Sequence, residues 1–320
     1  MRFFALILCA GTLTAQPFKL EKSIALPGAE GRFDHMSLDP GTKHLFASAL
    51  GNNTVEVVDI AGGKRLQTLT GMKEPQGIAF APDLKKFFVA SGKDGMLRAY
   101  DSTTLKLVSS VNVGEDADNV RYEIAHKRVW VAHGDGAVAV VDPATMKKLA
   151  DISLDAHPES FQFEKSGPRI FANVPDASEV EVVDREKHTI LAKWPIKEAG
   201  ANFPMALDEA NHRLFIGCRK PAKILVVNTD TGKVTAQFAC PGDTDDVFYD
   251  AARKRLYVAG GEGFLEAFDQ KGPDQYQSAG KIATAAGART GFYSPELSEF
   301  FLAVPHRGSQ GAEIRVYTVQ

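Results

Sequence analysis

The sequence predicts an all-β fold, a seven-bladed β-propeller of four-stranded antiparallel blades whose ring is closed by an N-terminal strand. Three observations predict it. A short apolar segment recurs seven times at a nearly constant period, an alternating segment follows each copy in the same register, and the two chain ends carry complementary parts of one blade.

The apolar segments are 45–48 (LFAS), 87–90 (FFVA), 129–132 (VWVA), 170–173 (IFAN), 214–217 (LFIG), 256–259 (LYVA) and 300–303 (FFLA), with starts 41 to 44 residues apart. The followers are 55–59 (VEVVD), 97–101 (LRAYD), 138–142 (VAVVD), 180–184 (VEVVD), 224–228 (ILVVN), 265–269 (LEAFD) and 314–318 (IRVYT). This period and these short strands are those of propeller blades. Helical repeats of similar length need long 3.6-periodic segments, which are absent.

Within each blade the strands are lettered a to d from the channel outward. Turn residues separate a from b, as in Asp39-Pro40-Gly41 and Ala81-Pro82-Asp83, and c from d, as in Ala61-Gly62-Gly63. The last blade ends at Gln320 just after its third strand, while residues 18–27 (FKLEKSIALP) read as a fourth strand without a blade. Pairing the two ends closes the ring and removes a free sheet edge.

Segments 255–268 (RLYVAGGEGFLEAF) and 45–66 (LFASALGNNTVEVVDIAGGKRL) resemble the YVTN or YncE-like propeller repeat, and the resemblance runs over residues 18–320. It implies the fold and makes the blade-ending Asp residues structural. It implies little about chemistry, because related propellers include enzymes and binding proteins.

The N-terminus orders a charge (Arg2), an apolar run (3–10) and small residues up to Ala15, the order of a secretory signal. Residues 1–15 are therefore expected to be a signal peptide, residues 16–320 one propeller domain, and the location periplasmic or secreted. No run of about 20 apolar residues predicts a membrane span. A net charge of −3 without a basic cluster argues against nucleic acid. A monomer is expected. Cys218 and Cys240 remain as a pair open to disulfide formation.

Chemistry is expected at the face shared by the d-to-a and b-to-c loops. The d-to-a loops differ sharply from blade to blade, and blade building alone does not require that variety. They contribute Arg32, Asp34, His35, Gln76, Asp116, Asp118, Asn119, Arg121, His157, Glu159, Asn202, Asp243, Asp245, Asp246 and Arg289. The b-to-c loops add Asn52, Asn53, His133, Asp135, Cys218, Arg219, His306 and Arg307. His35, His157 and His306 come from blades 1, 4 and 7, which a ring can converge with Asp118, Glu159 or Asp246 on a divalent metal or a proton-transfer site. The acidic stretches 243–246 and 115–118 are candidates for a hard cation. The arginines suit a carboxylate or phosphate, or else neutralise the acids beside them.

Two functions follow. One is a binding module for a small polar ligand or an extracytoplasmic protein partner. The other is a lactonase-like hydrolase or a lyase acting on a carbohydrate-type acid, with His35, His157, Glu159, Arg289 and His306 as catalytic candidates. The second is an analogy from propellers that carry such residues at the mouth. No close-spaced metal motif, phosphate loop or nucleophile elbow is present.

Overall fold

An apolar tetrapeptide that does not alternate is a strand covered on both faces, and stacking seven such strands side by side around an axis is what produces the observed ring. The computed structural model describes residues 16–134 and 136–320; the expected signal peptide and the mouth candidate Asp135 lie outside the described residues. Seven four-stranded antiparallel sheets form, each with its strands in the order a-b-c-d. Blade 1 is Met36–Asp39, His44–Ala49, Thr54–Asp59 and Lys64–Leu69. Leu45, Phe46 and Ala47 of its strand b are fully buried, as are Phe87, Phe88 and Val89 of blade 2. The outermost strands are half-exposed and alternating.

Blade 7 is composite. Phe18–Ala25 pairs antiparallel with Glu313–Val319, with Phe18 opposite Val319 and Ala25 opposite Glu313. Phe18, Ile24 and Leu26 are buried there. Phe18 packs its ring 5.5 Å from Tyr257 of blade 6 and 6.0 Å from Phe300 of blade 7. The closing strand is thus held by side chains as well as by its ladder.

The blade-ending acids are turn builders. Asp59 Oδ1 accepts from the Gly62 N–H, Asp101 Oδ1 from those of Thr103 and Thr104, and Asp184 Oδ1 from those of Glu186 and Lys187. Asn228 does the same in blade 5. A short side chain that satisfies the amides two and three residues on is the Asx-turn device that makes such residues recur.

Cys218 and Cys240 are unpaired thiols, and burial pushes both up to about 12. Among the described residues no helix is long and apolar enough to cross a membrane.

Candidate functional site

The loops entering strand a are fastened to the end of strand b in the same blade. The Asp34 N–H donates to Ser48 O at 2.8 Å and the Ser48 N–H to His35 O at 3.0 Å. In blade 3 the Asp118 N–H reaches Ala132 O at 2.8 Å and the Ala132 N–H reaches Asn119 O at 2.9 Å, and in blade 4 the Glu159 N–H reaches Asn173 O at 3.1 Å. The strand registers extend this equivalence around the ring. Met36, Ile78, Val120, Phe161, Met205, Val247 and Gly291 all face the third residue of their strand b segment. The residue two positions earlier in each blade is Asp34, Gln76, Asp118, Glu159, Phe203, Asp245 and Arg289. All seven line one cavity of about 640 Å³ that runs into the channel.

Seven blades therefore present one side chain each to a common space, and four of those seven are carboxylates. Asp245 and Asp246 reach it from within strand a of blade 6, which starts at Thr244, and not from the loop in which the sequence places them. Arg32, His35, Asp116, Arg121, His157, Arg219 and Asp246 add to the polar lining at the mouth, and Gln162, Lys165, Asp208, Glu209 and Tyr249 are among the polar groups farther along it.

His35 is the centre of the acidic side. Its Nε2 lies 3.8 Å from Asp34 Oδ1 and 3.8 Å from Asp118 Oδ1, and its Nδ1 lies 3.9 Å from Asp246 Oδ1. Asn119 Nδ2 sits 2.9 Å from the same Nε2. Burial lowers the basicity of His35 despite the acids around it. Burial, reinforced by Asp118 and Asp245, pushes the Asp34 carboxyl well above its usual range. Asp246 moves the same way by burial and by its neighbour Asp245, although the Gly291 N–H donates to it at 2.8 Å.

His157 behaves in the opposite sense. Burial opposes its charge, but the carboxylate of Asp118, 3.6 Å from Nε2, and the Gly134 carbonyl, 2.7 Å from Nδ1, raise it to about 9. Burial and the charge of Asp118 raise Glu159 to about 7, against the pull of His157.

The arginines divide into two kinds. Arg219 and Arg289 neutralise acids. Arg219 pairs with Asp245 and stacks 4.1 Å over the Phe203 ring, while Arg289 holds Asp243 at 2.8 Å and Asp245 at 2.9 Å. Arg32 is half-exposed, 3.7 Å from Asp34. Arg121 is different. Its Nη1 donates to the Val120 carbonyl at 3.0 Å, its guanidinium lies 5.7 Å from the Phe161 ring, and no carboxylate among the described residues comes within 4.0 Å.

Of the expected residues, Arg32, Asp34, His35, Gln76, Asp118, Arg121, His157, Glu159, Arg219, Asp246 and Arg289 line the cavity. Asn119 stands behind it as the neighbour of His35. Asn202 is fully buried between blades 4 and 5, donating to Asn173 Oδ1 and Glu179 O. Asn52 ties the rim by accepting from the Glu30 N–H and donating to Thr54. His306 turns out of the ring to Glu30 at 2.8 Å, and Arg307 is exposed beside it, so the three-histidine convergence reduces to His35 and His157 on the two sides of Asp118. Of the seven equivalent positions, Phe203 is the one that reading the loops for polar groups misses. Counting back from each strand b partner finds it.

No protein-family model matches the chain. It is 22% identical over 240 residues to the uncharacterized protein YncE of Salmonella typhimurium, and equally so to that of Salmonella typhi, over 70% of this chain and 67% of each relative. Among solved structures, the hydrazine synthase of Kuenenia stuttgartiensis superposes with a TM-score of 0.76 at 16% identity, over 87% of this chain and 95% of that one. At that identity the likeness shows the fold alone.

Proposed function

Starting from a chain that is a YncE-like seven-bladed β-propeller, we propose that it is an exported binding protein that takes a small polar ligand bearing a carboxylate into the mouth of its channel. The observation that carries this reading is Arg121. A guanidinium does not lose its charge in a protein, and among the described residues this one has a carbonyl and an aromatic ring as its direct partners, with Asp118 and Asp246 acting on it from beyond 4.0 Å. A ligand carboxylate supplies two parallel acceptors matched to its fork. Asp34, Asp118, Gln76 and Glu159 line the same cavity and suit hydroxyl groups on the ligand. Export rests on the sequence of residues 1–15.

The test is a thermal-shift and calorimetric screen of the mature protein against hydroxy acids and sugar acids, with the corresponding neutral sugars alongside. Binding of acids to wild type that is lost in Arg121→Gln is the expected result. Equal binding by Arg121→Gln, or binding of the neutral sugars alone, refutes it.

One observation favours a second reading, hydrolysis or elimination of the bound acid. Glu159 keeps its proton to about pH 7 in the cavity, as a general acid must. Product formation from a bound acid that falls away in Glu159→Gln while binding persists separates a lactonase-like hydrolase or lyase from a pure binding protein.

A further inference from the structure

We infer that Asp34, His35 and Asp118 form a binding site for one divalent transition-metal cation of the zinc or manganese type. The inference rests on reading the channel mouth as the functional site. Each of the three side chains offers a ligand atom, and these lie within 4.8 Å of one another. His35 Nε2 is 3.8 Å from both Asp34 Oδ1 and Asp118 Oδ1. Ligands about 2.1 Å from a shared ion at tetrahedral angles are about 3.4 Å apart, so a shift of a few tenths of an ångström closes each pair that includes His35. At 3.8 Å these groups do not hydrogen-bond one another.

A second observation points to a ligand independently of the cluster. Asp118 is 6% exposed, it lines the cavity, and its Oδ1 has no hydrogen-bond partner among the described residues. Buried carboxylate oxygens left without a donor are costly, and the exceptions in native proteins often mark a bound ion or water. Asn119 adds to this: its Nδ2 lies 2.9 Å from His35 Nε2, and its buried Oδ1 is likewise without a partner among the described residues.

Arg219 and Arg289 are paired with Asp243 and Asp245, Arg32 stands 3.7 Å from Asp34, and His157 takes the other oxygen of Asp118, with Nε2 3.6 Å from Oδ2. Asp118 Oδ1 is thus the oxygen left to an ion. One imidazole with two carboxylates is a mixed donor set, softer than the all-oxygen cages of calcium and harder than thiolate sites.

The experiment titrates metal-stripped mature protein with Zn²⁺, Mn²⁺ and Ca²⁺ alone, by calorimetry and by metal analysis after desalting, for wild type, Asp118→Asn, His35→Gln and Asp155→Asn. The last removes an acid from the cluster of Asp155, Glu179 and Glu181, away from the cavity lining. One equivalent of Zn²⁺ or Mn²⁺ is expected in wild type and Asp155→Asn. Loss of a ligand in the first two variants should weaken binding by more than the roughly 10–100-fold that outer-shell partners are worth. Asp34→Asn takes the place of Asp118→Asn if far-UV circular dichroism shows the latter unfolded. No uptake by wild type at millimolar metal overturns the inference, as does unchanged uptake in Asp118→Asn and His35→Gln, or loss in Asp155→Asn. The ligand screen repeated in chelator is read separately: acid binding without metal uptake sinks this inference alone, and metal uptake without acid binding sinks only the ligand reading.

Discussion

Replacing Phe18 with alanine tests the ring closure at a single side chain. Phe18 is 3% exposed and its ring lies 5.5, 6.0 and 6.3 Å from those of Tyr257, Phe300 and Tyr317. Truncation removes a buried aromatic ring, leaves a cavity between blades 6 and 7, and cancels three edge or tilted ring pairs. Large-to-small changes of this kind cost about 3–5 kcal/mol, and each aromatic pair adds about 0.5–1.5 kcal/mol beyond area. The pairs overlap with the cavity cost, so about 4 kcal/mol is expected. Leu20 is the control, because it lies on the same strand with 51% of its surface exposed; Leu20→Ala should stay within about 0.5 kcal/mol of wild type. The assay is urea unfolding followed by fluorescence and circular dichroism, comparing midpoints at constant slope. A loss below about 1 kcal/mol for Phe18→Ala would refute the claim that the N-terminal strand is a packed part of blade 7. A loss as large for Leu20→Ala would show that Phe18 is no special anchor, because an exposed side chain of the same strand would then matter as much.

Two further changes test the turn chemistry and the shape of the mouth. Asp250 is 2% exposed and accepts from the hydroxyls of Tyr293 at 2.6 Å and Tyr257 at 3.2 Å and from Arg253 Nη1 at 2.9 Å; burial alone would raise its carboxyl, but the Tyr293 and Arg253 donors hold it below its usual value. A folded pKa below the unfolded one stabilises above the unfolded value, about 3.9, and is lost as pH falls through the folded one. Asp250→Asn should therefore cost about 3 kcal/mol at pH 7, and a gap to wild type that fails to narrow below about pH 4 contradicts the assignment. At Gly77 a Cβ would stand 2.1 Å from Asp118 O and 2.7 Å from Val120 N. Gly77→Ala must therefore move the segment that carries Asp118, lowering stability by about 1–3 kcal/mol and impairing binding at the mouth. Unchanged melting and unchanged binding would show that the segment yields without consequence.

The repeat was legible because each blade must solve the same packing problem. Strand b is covered on both faces, so it has to be written as an apolar run, and the c-to-d turn needs an acceptor for its amides, so an Asp or Asn recurs. Closure was legible from the unmatched fourth strand at residues 18–27. At the mouth, the unlike d-to-a loops marked the face where the cavity opens, but loop variety alone did not separate the lining from its supports. Asn202 looked like a lining residue and is buried between blades; His306 looked like a third histidine and pairs with Glu30 at the rim. Phe203 carried no polar signal at all.

What the sequence alone determined is what period and local chemistry dictate: seven blades, their strand order, the turns, and the end of the channel where the blades differ. What only the tertiary structure decided is which side chains meet. His35 and Asp118 are 83 positions apart and come from blades 1 and 3, Arg219 and Arg289 share the same two aspartates, and Arg121 pairs with none among the described residues. Those outcomes depend on bulges and side-chain directions at the axis, where a displacement of one residue turns a group from the cavity into the space between blades. A pattern that repeats every 42 residues can place a position at the axis, but the distances across it exist only once the ring is closed.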